Sequence, residues 1–375
     1  MANQLNSSGA SQVAPDDSAL AEIPSELSTR RILRRLVELA AIGALIGVFV
    51  LTGPGIGSLR NRISNASGGW LIVGAWLEVL SALSYVVIFR SVFCQRMRWG
   101  LSYQFGMAEQ GANSVLSVSG TGGLALGAWA LRRGGMSTEH IARRTVAFFF
   151  LTSLANVGTL IVFAALYGAG ALQHDPNPAL TYAFGVASLM AIAIVAFGLP
   201  RLHSSPASAG PRSGWIARGL GFARDSLGLG VSDALQMTRR RPVSILAGSF
   251  GVMAFDLAVL FVCFKAFGYT PALGIVVLGY LIGQLGGNLP IPGGFGGLDA
   301  GLIGTFVLFH QPLAVTSAAV LMYHGISLWV PALAGSVAFI QLRATLRRED
   351  QPAAMCMPLA EPIEAVALPA GSGTS

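Results

Sequence analysis

The sequence predicts an all-α, polytopic membrane protein, and three observations carry that prediction. Charged residues are 11% of the 375-residue chain, against about 25% in an ordinary soluble domain. Hydrophobic residues reach 53%, with a mean hydropathy of +0.63, and they gather in runs of bilayer-crossing length. Glycine reaches 47 residues with no collagen-like period, and part of it is concentrated in two breaks within apolar runs. Together these exclude an ordinary soluble enzyme and a disordered or fibrous chain.

About six full spans are expected, at residues 36–52, 70–89, 145–172, 180–199, 243–264 and 313–342. The first stops at Gly53-Pro54-Gly55. The second is bracketed by Trp70 and Arg90, as interface anchors would be. The last is interrupted by His324 and Pro331 and is long for one upright span, so a tilt or a break is expected. Two further apolar regions, 101–131 and 272–309, are broken in the middle by Ser119-Gly120-Thr121-Gly122-Gly123 and by Pro290-Ile291-Pro292-Gly293-Gly294. Non-helical backbone at membrane depth survives only when buried in protein or lining a wet cavity, so both breaks should face inward. They are re-entrant or broken-helix hairpins, or full spans that raise the count to eight.

The net charge of +7 comes from 24 basic residues, all arginine except Lys265. They cluster between apolar runs, which is positive-inside bias and not a nucleic-acid surface. Arg30, Arg31, Arg34 and Arg35 place the N-terminus in the cytoplasm, and Arg343, Arg347 and Arg348 the C-terminus. Arg90, Arg96 and Arg98 are cytoplasmic too, as are Arg132, Arg133, Arg143 and Arg144, and the arginine-rich loop 200–242. The stretch around His174-Asp175-Pro176 is external. The two hairpins then enter from opposite faces, the arrangement of an inverted repeat. A shift of 171 residues supports it by pairing Gly122-Gly123 with Gly293-Gly294, Leu131 with Leu302 and Thr145 with Thr316. Residues 1–29 and 349–375 are polar or Pro/Ala/Gly-rich and are expected to be disordered cytoplasmic tails around a helical domain spanning 30–348. The three cysteines are widely separated and imply neither a disulfide framework nor a metal site.

The most distinctive stretch runs Asn288-Leu289-Pro290-Ile291-Pro292-Gly293-Gly294-Phe295-Gly296-Gly297-Leu298-Asp299. Its prolines remove backbone donors, its glycines permit close approach, and Asp299 falls where the next helix begins. This pattern, followed by a basic residue seven before a proline (His324 and Pro331), resembles the lysylphosphatidylglycerol synthase transmembrane region. The same domain occurs in stand-alone flippase-like membrane proteins. Residues 119–133 are similar to the family's first glycine-rich motif, and the resemblance covers about 34–342. It implies a lipid-handling membrane domain without the soluble aminoacyl-transferase part. Two departures stand out: Asp299 where the family usually has Glu, and His324 where it usually has Arg. The second replaces a permanent cation with one that titrates near neutrality.

Candidate site residues follow from cost, because ionisable groups at membrane depth are expensive and are usually placed for use. Asp299 with Pro290, Pro292, Gly293, Gly294 and Gly296 shapes a substrate or ion site, or else forms only a capped helix break. His324 is a head-group contact or proton acceptor, or a packing histidine. Gly120, Gly122 and Gly123 form the opposing break. Glu78, Glu109 and Asp256 line a polar cavity or pair with arginines. Arg132 and Arg133 meet lipid phosphates or serve topology alone. Asn113 and Gln284 are interhelical hydrogen-bond partners. Loop 200–242 forms an amphipathic helix on anionic lipid.

The expected function is translocation or binding of an anionic phospholipid, glycolipid or other amphipathic lipid between leaflets of the cytoplasmic membrane. A secondary transporter of a small polar solute and a membrane-embedded lipid-modifying transferase are the alternatives. No hydrolytic, nucleotide-binding or metal-ligand motif is present, so neither an enzyme nor a cofactor is expected. The expected partners are membrane lipids, with room for a separate lipid-modifying enzyme, and no nucleic acid.

Overall fold

The computed structural model describes scattered positions between residues 34 and 61, then residues 64–115, 121–133, 136–171, 178–193, 215–286 and 295–348. The first four helices are α1 (Gly68–Phe93), α2 (Trp99–Val115), α3 (Thr121–Arg133) and α4 (Thr138–Gly168). Next come α5 (Pro178–Ala193) and α6 (Trp215–Arg240). The last four are α7 (Pro242–Ala266), α8 (Leu273–Gly286), α9 (Phe295–Leu308) and α10 (Leu313–Arg348). No strand occurs among the described residues. Four helices, α1, α4, α7 and α10, are long and apolar enough to cross a bilayer. The expected span 36–52 lies mostly outside the described residues, and both expected tails lie wholly outside them.

Local chemistry sets the helix ends. Ser137 caps α4 by accepting the His140 N–H at 3.3 Å, with Glu139 in the first turn. Pro242 opens α7 where its missing N–H costs nothing. Lys265 closes the same helix, favourably placed at the negative end of the dipole, with its ammonium 5.0 Å from the Trp70 ring. That contact brings the start of α1 to the end of α7. The Ser67 N–H, donating to the Ala266 carbonyl at 2.8 Å, does the same.

Helices α1 and α7 therefore pack antiparallel, and the contact continues along both. Gly74 faces Val262 and Val259, Ser81 donates its hydroxyl proton to the Val252 carbonyl at 3.2 Å, Gly251 faces Ser84, and Gly248 faces Ile88. Each glycine lets the opposing side chain approach where a methyl group would clash. At Gly248 an added Cβ would lie 2.7 Å from the Cβ of Ile88.

The other packing relations come in matched sets. The hairpin α2–α3 lies with α2 against α10, and the hairpin α8–α9 lies with α8 against α4. Helix α1 packs on α2, α4 and α10, while α7 packs on α8, α10 and α4. Exchanging α1–α4 for α7–α10 turns each of these packing relations into another. The Ser81–Val252 bond joins residues 171 apart, the spacing of the sequence repeat.

Two buried apolar clusters flank the middle of the bundle. One holds Phe89, Val92, Phe93, Leu131 and Ala147. The other holds Leu260, Cys263, Phe264, Leu302 and Ala318, the residues at matching positions in the second half. Outside, Trp76, Ile72, Val243, Leu333 and Ile340 stand exposed, with Val243 80% accessible. An uncovered belt of this kind suits acyl chains and not water.

One expectation is narrowed. Residues 313–342 do not break at His324 or Pro331; α10 runs on through Pro331 for 36 residues. A proline removes one donor from a helix, and neighbouring helices can compensate, so continuity is tolerated. The arginine-rich segment 200–242 has the helix expected of it. It contains α6, held to α4 by Arg143, whose Nη2 lies 3.0 Å from each oxygen of Asp233. Cys263 is free and buried.

Candidate functional site

Three polar groupings interrupt the apolar interior. The largest is centred on Asp256 of α7. Its Oδ2 accepts the hydroxyl protons of Tyr280 on α8 and of Tyr323 on α10, the latter at 2.8 Å. Gln284 lies one helical turn beyond Tyr280 on the same face of α8. Glu78 lies on α1 near the level of Asp256 in the register of the α1–α7 contact. Glu78 is 5% exposed, and its Oε2 is buried with no hydrogen-bond partner. Neither acid forms an ion pair among the described residues.

The second grouping joins α2 and α3. Glu109 of α2 is buried, and its Oε2 has no hydrogen-bond partner. Gly127 of α3 faces this carboxyl so closely that a Cβ there would lie 3.0 Å from the carboxyl carbon. One turn along α2, Asn113 accepts the Gly123 N–H at 2.9 Å. The glycine break predicted from sequence thus receives a polar side chain, and Gly123 has no room for one of its own.

These two groupings correspond. Tyr85 and Asp256 occupy matching positions in the two halves, as do Glu109 and Tyr280, and Asn113 and Gln284. Each half therefore carries one tyrosine and one carboxylate on its first and second helices, with the two residue types exchanged, and an amide one turn on. Glu78 corresponds to Ser249, which is also buried and has no partner for its hydroxyl.

The third grouping is the predicted pair. Asp299, in the first turns of α9, meets His324 of α10 with Oδ1 3.2 Å from Nδ1. His324 directly follows Tyr323, so α10 contributes adjacent residues to two polar groupings. The substitutions that distinguish this chain from the family's usual pattern meet each other.

The other predicted site residues divide. Gly120, Pro290, Pro292, Gly293 and Gly294 lie outside the described residues. Gly122 and Gly296 sit in the first turns of α3 and α9. Arg132 hydrogen-bonds the Thr138 hydroxyl at the α3–α4 connection, and Arg133 ends α3. Neither lies among the buried groupings. The acids look scattered in sequence, yet Glu78 and Asp256 fall near one level of the α1–α7 contact, while Glu109 lies against Gly127 and Asp299 meets His324. Tyr85, Tyr280 and Tyr323 were missed as site residues. For Tyr85 and Tyr280 a signal was available: the 171-residue shift sets each against an acid, whereas Tyr323 falls on Thr152.

Such a chain is an integral membrane protein of antiparallel halves, with ionisable pairs at depth where packing alone would call for apolar side chains. The sequence profile of the lysylphosphatidylglycerol synthase TM region matches residues 36–335, and the chain belongs to this family. Comparisons with curated proteins and with solved structures gave no match. Membership makes it a multi-pass membrane protein with a lipid-related role.

Proposed function

We propose that this protein moves an amphipathic, anionic lipid between the leaflets of the cytoplasmic membrane by transport and not by catalysis. The observation that carries the reading is the antiparallel match of the two halves, with corresponding polar pairs between them. Halves related in this way cross the membrane in opposite senses, so each hairpin opens to a different face. The hairpin arms contain 17, 13, 14 and 14 residues. At 1.5 Å per residue they reach roughly 20–25 Å, short of the ~30 Å hydrocarbon core, which favours re-entrant hairpins over full spans.

The lipid's head group would pass the polar groupings while its tails remain among the exposed apolar belt. Its entry and exit require the halves to exchange conformations, one hairpin opening as the other closes. Arginine placement puts the α1–α2 connection and both termini in the cytoplasm, with the α7–α8 turn outside.

Fluorescent phosphatidylglycerol in proteoliposomes tests the reading, with dithionite reporting the label in the outer leaflet. Wild type should make inner-leaflet label accessible faster than protein-free vesicles do. Asp299→Asn, which removes the charge facing His324, should slow that exposure by about tenfold, the loss of one charge-assisted contact. Uptake of a polar solute without lipid movement would instead identify a solute transporter.

A further inference from the structure

The Glu78–Asp256 pair is a more specific device than a polar lining requires. Two carboxylates stand on opposite sides of the α1–α7 contact, near one level in the register set by Ser81–Val252 and Gly74–Val259, with Glu78 buried and Asp256 half-buried, and no ion pair balances either among the described residues. The surrounding groups are known. Helix α8 contributes Tyr280 and Gln284, α10 contributes Tyr323, and both tyrosines already donate to Asp256 Oδ2. His324, the next residue on α10, is engaged with Asp299. Lys265, farther along α7, lies against Trp70 and Phe261. The Arg143–Asp233 pair lies between α4 and α6.

Two bare charges so placed would be costly, because no cationic side chain pairs with either among the described residues. Asp256 has the donors that suit an ionised carboxylate. Glu78 Oε2 has none, so it is the atom positioned to carry hydrogen. A metal cation would need a cage of several free oxygens, whereas Asp256 Oδ2 is already occupied by two hydroxyl donors.

We propose that Glu78 and Asp256 hold a single exchangeable proton, carried on Glu78, and that its release and rebinding couple the movement of lipid to a proton gradient. This rests on the lipid-translocation reading above. With the proton bound, the pair carries one negative charge, held by two tyrosines, and the interior can close. When water enters from one face, the Glu78 O–H bond breaks, the proton leaves as hydronium, and the carboxylate remains hydrated. The halves cannot close over two charges, so they exchange only after Glu78 is reprotonated. Tyr85 lies seven residues along α1 from Glu78, roughly 10 Å at 1.5 Å per residue, and the second buried carboxyl, Glu109, is on the neighbouring helix α2.

Two measurements separate this coupling from the lipid reading. Infrared difference spectroscopy of the purified protein in phosphatidylglycerol vesicles should show a protonated-carboxyl C=O band at neutral pH. Glu78→Gln should lose that band and Glu78→Asp should retain it, with both variants checked for native elution by size exclusion. In proteoliposomes, a one-unit pH gradient should drive labelled phosphatidylglycerol to an asymmetry of up to about tenfold if one proton moves per lipid. Glu78→Gln should abolish that response.

Absence of the band in wild type overturns the proton site. A wild-type protein that moves lipid regardless of the pH gradient, or responds to a sodium gradient instead, overturns the coupling. A wild-type protein that shows the band but moves no lipid leaves the proton site standing and removes the lipid reading.

Discussion

Gly111 sets how closely α2 approaches α10. A methyl group there would lie 2.6 Å from Gly335 Cα and 3.1 Å from the Pro331 carbonyl oxygen, all backbone atoms that cannot rotate aside. Gly111→Ala should therefore force the helices apart and cost about 1–3 kcal/mol, the usual range for overpacking. Gly304 has no atom within 4 Å of an added Cβ. Gly304→Ala should match wild type or gain up to ~1 kcal/mol of helix propensity. Differential scanning fluorimetry in detergent compares the two. His310 is a further residue-scale case, because it holds φ at 59° at the end of α9. A left-handed residue with a Cβ costs about 1–2 kcal/mol, partly offset by glycine's greater loss of entropy. His310→Gly should raise stability by roughly 0.5–1 kcal/mol in the same assay, and a lower melting temperature would contradict the strain assignment.

At the scale of elements, α6 is held to the bundle by a few polar contacts more than by a buried core. Arg143 spans both Asp233 oxygens, and these side chains are 28% and 18% exposed, so solvent screens the bond only in part. Asp233→Asn should loosen α6 and leave α1 and α7 in place. Hydrogen exchange in the second half of α6 should rise about tenfold, equivalent to ~1.4 kcal/mol, with exchange in α1 unchanged. A uniform rise across the molecule would mean that the pair supports the whole fold. Much at this scale was legible from sequence. Glycine breaks and apolar runs located both hairpins and the four long helices, because backbone in a bilayer leaves few alternatives. Continuity through Pro331 was less legible. Whether a proline bends, breaks or merely interrupts a helix depends on the helices beside it, and here Gly111 and Gly335 bring α2 against that stretch.

At the scale of the whole molecule, correspondence between halves was only partly visible. Identity at the 171-residue shift preserves a few glycines, Leu131 with Leu302, and Thr145 with Thr316. What the fold preserves more fully is a pairing of residue types. Tyr85 with Glu109 and Asp256 with Tyr280 keep one hydroxyl and one carboxyl each, yet neither position keeps its residue. A search for matching letters scores both positions as mismatches. A hydroxyl–carboxyl pair needs one donor and one acceptor and is indifferent to which helix provides which. For the same reason the tyrosines did not stand out as site residues before the helices were brought together.

The central claim, that the two halves cross the membrane in opposite senses, is tested most directly by the sidedness of two matching connections. Arg98 lies exposed at the α1–α2 connection and Thr270 lies exposed at the α7–α8 turn. Single cysteines at these positions, in a background with Cys94, Cys263 and Cys356 replaced, are treated with a membrane-impermeant maleimide on intact cells and again after permeabilisation. Thr270→Cys should react on intact cells, and Arg98→Cys only once the membrane is opened. Labelling of both from the same face would contradict opposed halves and the alternating pathway built on them.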